Sequence, residues 1–227
     1  MVYRWLRAKG GEPVMHALRR TFHSRDAVIS LGGDRLHPMY QPSNAAAMMA
    51  AVKFEKPNDN DYSAVLDLAA AEIGGPLASL DEIRRVDRYT DASMWVIRRR
   101  GQISGFLAPL ALTEAGRDAM CDGSFDAANV AEKWIAPIGT PLAGFYCWSY
   151  AGKDQFTRGL LVLALRALID VHFADLPFFG KGTTEAGARI MHHLGFAPYD
   201  EQPGLYWRCR STMEPGLTAP ALGETTR

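Results

Sequence analysis

A chain of 227 residues, 48% of them hydrophobic, is long enough for one well-filled core with extensions. Lysine plus arginine equals aspartate plus glutamate at 25 each, so no overall field draws the protein to nucleic acid or to an anionic membrane. The longest apolar run, Ala45 to Val52, falls far short of the roughly 20 residues that a membrane span needs.

The charge is nevertheless uneven. Residues 1–38 hold seven basic and three acidic side chains, which makes a basic arm on a mildly acidic body. Within it Val14 to Phe22 reads as one or two helical turns and Ala27 to Leu31 as a short strand, and Pro38, Pro42 and Ser43 mark a linker. His16, His23 and His37 have no ligand spacing, so no metal site is expected. Cys121, Cys147 and Cys209 form no CxxC pair and point to reduced thiols in the cytoplasm rather than to a disulfide framework. Residues 1–44 are thus expected to be an extension, residues 45–210 the folded domain, and residues 211–227 a flexible tail rich in proline and glycine.

The domain opens with a strand at Val52 to Lys56. Asp59 or Asp61 can cap a helix that turns Tyr62, Val65, Leu66, Ala69 and Ile73 to one side, and Gly74, Gly75 and Pro76 end it. Ser79 and Glu82 spell a capping box for a second helix with Leu80, Ile83 and Val86 inward. Met94–Arg100 and Ile103–Leu112 form a hairpin around Gly101 and Gln102, and Pro109 asks for an edge or a bulge. Thr113 to Lys133 reads as an insertion with helices near Glu114–Met120 and Asp126–Trp134, placed to cover a substrate opening.

The centre of the chain is the aromatic strand Phe145 to Tyr150, where alternation puts Phe145 and Cys147 on one face and Tyr146 and Trp148 on the other. A turn over Ala151–Gly159 leads to a helix over Leu160–Phe173. The free N–H groups of such a helix start, with Lys153 and Arg158 beside them, suit an anion. Pro177–Gly180 is a further strand. Thr183 can cap a last helix with Ala186, Ile190, Met191 and Leu194 inward and Gly195 at its end, and Phe196–Tyr199 with Leu205–Arg210 closes the sheet.

This order of strand, two helices, hairpin, central strand, helix, strand, helix and strand pair resembles the general N-acetyltransferase (GNAT) superfamily. Thr184, Glu185, Gly187, Ala188 and Arg189, with Leu194, Gly195 and Phe196, are similar to its last helix and closing "LGF". The resemblance covers residues 52–210 and implies an α/β (α+β) fold, a mixed and mostly antiparallel central sheet flanked by helices on both faces. It implies acetyl-CoA or another acyl-CoA as cosubstrate, with direct transfer of the acyl group, acetyl in the first instance, to an unidentified amine acceptor. The pantetheine arm would lie beside Tyr146, Trp148, Ser149 and Tyr150, and the diphosphate over Gly152, Lys153, Gln155, Phe156, Thr157, Arg158 and Gly159.

Met191 stands where the family often has a catalytic tyrosine, so Tyr146, Tyr150 and His192 are the candidate catalytic side chains, with Glu55, Glu72 and Glu114 as candidate bases. The family's Q/RxxGxG/A turn, counted from Gln155, meets Arg158 and Leu160 instead of glycine. Two rivals stay open: a non-catalytic binding or regulatory module that has lost this turn, and an acyltransferase-like fold using an aminoacyl-tRNA, for which the basic arm would matter. A homodimer is equally open.

Overall fold

The computed structural model describes residues 54–73, 76–169 and 176–208. The basic arm, the alanine-rich lead and the tail lie outside them. β1 (Phe54–Glu55) precedes α1 (Asp61–Glu72), whose Tyr62, Val65, Leu68 and Ala69 are buried. Neither of the two aspartates caps α1. Asn60 stands at the N-cap without a side-chain bond, and the nearly buried Asp61 instead accepts the Asn58 N–H at 2.6 Å and pairs with Arg98. A carboxylate taken out of water needs a cation more than a helix end needs a cap.

Ser79 caps α2 (Leu80–Thr90), accepting the Glu82 N–H at 3.1 Å. The reciprocal half of the box is absent, because the Glu82 carboxylate is drawn to Arg85 at 2.8 Å and to the Val130 N–H at 2.6 Å. Arg100 and Gly101, with φ of 51° and 76°, supply the two left-handed residues of a tight hairpin turn. They join β2 (Trp95–Arg99) to β3 (Gln102–Leu112).

β4 (Gly144–Gly152) runs antiparallel to β3, and β5 (Phe178–Lys181) runs parallel to β4. With β6 (Ala197–Pro198) and β7 (Leu205–Arg208) the sheet has the order β1-β2-β3-β4-β5-β7-β6. Every other neighbouring pair is antiparallel. α4 (Gln155–Ala167) and α5 (Glu185–His193) pack on one face through Leu161, Ala164 and Met191. α1, α2 and α3 (Glu114–Asp122) pack on the other through Val65, Val86 and Met120. This is the mixed, mostly antiparallel sheet with helices on both faces that the order of elements led us to expect.

The insertion and the last helix differ from expectation in detail. The second insertion helix is reduced to a 3₁₀ turn at Glu132–Trp134, because the Asp126 carboxylate takes the Ala128 and Asn129 N–H groups at 2.8 and 3.3 Å and so competes with helix formation. Thr184, not Thr183, caps α5 by accepting the Gly187 N–H at 3.0 Å. Ala186 is exposed, whereas Met191 and Leu194 are buried as expected.

The start of α3 is pressed onto the 3₁₀ turn. The Thr113 N–H donates to the Trp134 carbonyl at 3.1 Å, and the Thr113 hydroxyl donates to the Lys133 carbonyl at 2.6 Å. A Cβ at Gly116 would stand 1.9 Å from the Trp134 carbonyl oxygen. Gly116→Ala is therefore expected to cost about 3 kcal/mol, at the upper end of overpacking penalties since backbone must move. Urea unfolding measures it, and a loss under 1 kcal/mol would show that the insertion is not clamped here.

Candidate active site

Ala108 pairs with Ser149 and Pro109 with Cys147, so Trp148 is the extra residue of a bulge in β4. Proline lacks the N–H that the ladder needs, and the register slips beside it. Pro109 thus marks a bulge and not an edge, since β3 lies inside the sheet. The bulge resets the alternation of β4. Phe145 and Cys147 pack toward α4 and Tyr146 toward α3, as expected, but Tyr150 joins the α4 side instead of following Tyr146.

On its other side β4 is accompanied by β5 only at Phe145–Phe178, Tyr146–Phe179 and Cys147–Gly180. Lys181, the end of β5, pairs with Leu205 of β7. From Trp148 onward β4 has no strand partner there among the described residues. A groove of about 560 Å³ opens in this gap, lined from both faces of the sheet: Val65, Ala69 and Ile83 on one, Arg158, Val162 and Ile190 on the other. It therefore passes through the sheet.

Tyr146, Ser149 and Tyr150 line the groove, and the Ser149 hydroxyl is buried without a hydrogen-bond partner. Burial, followed by the neighbouring Cys147, raises the pKa of both tyrosines above the ordinary value, so each is a proton donor and not a base at neutral pH. Burial also pushes the Cys147 thiol up to about 12 from 9.0. Its thiolate is then disfavoured in the folded state, and the stability this confers is complete below pH 9 and lost as pH rises from there toward about 12. We expect Cys147→Ala to flatten the alkaline fall in unfolding free energy between pH 9 and 10 by up to about 1.4 kcal/mol per pH unit. Urea titrations at both pH values test this, with Cys121, also raised by burial, as the comparison thiol.

Trp148 is half-buried, and its indole N–H donates to the Ala127 carbonyl at 2.8 Å. Phe125 packs edge-on against Tyr146 at 5.5 Å and, tilted by 30°, against Trp134 at 5.0 Å. These contacts lay the insertion residues 125–128 along the groove, as its position in the chain suggested.

The helix start differs from the expected turn. Ala151 and Gly152 stay paired with Phe106 and Gly105, so only Lys153 and Asp154 separate β4 from α4. Asp154 is the N-cap, accepting the Thr157 N–H at 2.8 Å with one carboxylate oxygen and Arg99 at 2.7 Å with the other. Burial favours its neutral form, but the Thr157 N–H and the Arg99 guanidinium outweigh this and hold its pKa below the usual carboxylate value.

Arg158 reaches back to the Gly152 carbonyl at 2.8 Å and across to Glu72 of α1 at 2.7 Å. It lines the groove with Glu72, Trp148, Ser149, Tyr150 and Gly152. Lys153 and Gln155 are exposed and stand off the groove, Thr157 and Gly159 are buried, and Phe156 lies under Arg99 at 5.2 Å. His192 is exposed, edge-on to Tyr206 at 5.5 Å, and is not part of the groove wall. Glu55 pairs with Arg98 at 3.2 Å on the β1 edge, and Glu114 lines a separate cavity. Asp154 and Arg99 escaped the sequence reading, although Asp154 three residues before Thr157 is itself an N-cap signal. Among the described residues no cluster of His, Cys, Asp or Glu is placed to hold a metal, and no helix is long and apolar enough to cross a membrane.

No family profile and no curated protein matches the chain. Solved structures similar to it include a "GphF GNAT-like decarboxylase in complex with isobutyryl-CoA", 16% identical, with 63% of this chain and 72% of that one covered and a TM-score of 0.39. A histone acetyltransferase HPA2-related acetyltransferase from Corynebacterium glutamicum is 16% identical over 69% of this chain and 95% of its own, with a TM-score of 0.40. A GNAT-family acetyltransferase from Streptococcus agalactiae is 18% identical over 69% and 94%, at 0.39. The fold described above rests on the sheet order and does not depend on these likenesses.

Proposed function

We propose that the chain is an acyl-CoA-dependent N-acyltransferase, with the donor entering from the α4–α5 face and its thioester lying in the gap between β4 and β5. The observation that carries this is the groove through the sheet where β4 leaves β5 at its bulge. The unpaired edge of β4 offers backbone groups to a pantetheine amide and to the oxyanion of the thioester carbonyl. The amine attacks that carbonyl, a C–N bond forms as the C–S bond breaks, and the proton the amine loses balances the one the thiolate gains.

Tyr150 and Tyr146, both kept protonated, are the donors we assign to the departing thiolate, in place of the tyrosine that Met191 replaces. Glu72 and Asp126 are the carboxylates on the groove wall, and the amine must shed its proton to one of them or to water. With an ordinary amine pKa of about 10.4, that step costs roughly 4–5 kcal/mol at pH 7. Isothermal titration with CoA and acyl-CoA, then thiol release across an amine panel, tests the proposal. Absence of heat at millimolar ligand would sink it, and binding without thiol release under any amine would favour a non-catalytic module.

A further inference from the structure

On this acyl-CoA reading, we infer that the acyl group the protein takes is apolar and longer than acetyl, with its chain lodged in a chamber under α1 and α2. Beyond the gap the groove is lined by Val65, Leu66 and Ala69 of α1, Ile83 of α2, and Met94 and Phe106 from the sheet. None of these carries a polar side chain. The groove's hydroxyls belong to β4 at the gap or to Thr183 and Thr184 beside α5, and the carboxylate nearest the chamber, Glu72 at the end of α1, is held by Arg158 at 2.7 Å.

An acetyl group would leave this apolar surface to water, whereas a hydrocarbon chain removes it. The acceptor is the poorer occupant. Its amine arrives as an ammonium, and the chamber wall has no carboxylate to match it, so entry there would cost the full desolvation of a charge. The insertion side of the groove, with the exposed Asp126 on its wall, suits the amine better. Ala69 and Ala78 are small side chains at which the chamber can be filled: both line the groove, Ala69 buried on α1 and Ala78 half-buried in the loop before α2.

The test is calorimetric titration of the full chain with CoA, acetyl-CoA, butyryl-CoA and hexanoyl-CoA. We expect each added methylene to tighten binding about fourfold, the equivalent of about 0.8 kcal/mol. Ala69→Phe and, as a variant in a more tolerant loop, Ala78→Phe are expected to flatten the series, read within each variant as the ratio of hexanoyl-CoA to acetyl-CoA affinity. Equal affinity for acetyl-CoA and hexanoyl-CoA overturns the chamber but leaves the donor reading standing, because CoA still binds. A chain-length series that neither variant flattens also overturns it. If CoA and all its esters fail to bind, both readings fall together.

Discussion

Replacing Asp87 with alanine is expected to lower the unfolding free energy by about 3 kcal/mol, with a rise in urea sensitivity as the measurement. Asp87 is 4% exposed and gathers four donors: the Tyr62 hydroxyl at 2.7 Å, the Met94 N–H at 2.8 Å, Lys56 at 3.0 Å and the Ser93 hydroxyl at 3.2 Å. Removing the carboxylate strands these donors, and breaking a buried charged network by taking one partner costs about 3–5 kcal/mol. The lower value is expected because Lys56 is 36% exposed and can turn to water. Asp87→Asn should recover only part of the loss, since its amide brings a donor where donors already converge. Because Tyr62 belongs to α1 and Met94 leads into β2, the same residue holds the chamber wall against the sheet. A loss below 1 kcal/mol would mean that the four bonds are not the anchor they look to be.

The second large effect concerns the helix start, where two substitutions should move affinity in opposite directions. Arg158→Ala is expected to weaken CoA binding about tenfold, the share left to one exposed charge-assisted contact with a phosphate. Asp154→Asn should strengthen it by a comparable factor, about tenfold at low salt. Asparagine caps a helix as well as aspartate does, so the fold is kept while a negative charge leaves the diphosphate's expected seat. Both effects should shrink as salt is raised toward 1 M, where screening acts within about 3 Å. Binding that neither substitution alters would put the diphosphate somewhere else. A weaker Asp154→Asn protein would mean that Asp154 and Arg99 serve the ligand as a pair, with Asp154 orienting the guanidinium.

The order of elements was legible because its signals are local. Ser79 announced α2, Gly101 the hairpin, Gly195 the end of α5, and Pro109 an irregularity in β3. The candidate groove was legible only in part. Tyr146, Trp148, Ser149, Tyr150, Gly152 and Arg158 line it, but Lys153, Gln155, Phe156, Thr157, Gly159 and His192 do not. Position along a strand or helix says which face a residue takes only while the register is regular, and the Trp148 bulge broke that register between Tyr146 and Tyr150. Asp154 shows the same limit from the other side. As a residue type it is an ordinary cap, and its meaning comes from Arg99, which lies 55 positions away.

By itself, then, the sequence determined the strand and helix order, the hairpin and the place of the insertion, all of which follow from hydrogen bonds and side-chain periodicities spanning a few residues. Only the tertiary structure decided where β4 parts from β5, which side chains face that gap, that apolar residues of α1 and α2 line the groove beyond it, and that Arg99 pairs with the carboxylate at the helix start. Those features arise from pairings between distant segments, such as Glu72 with Arg158 and Trp148 with Ala127, and packing rather than local preference selects among them.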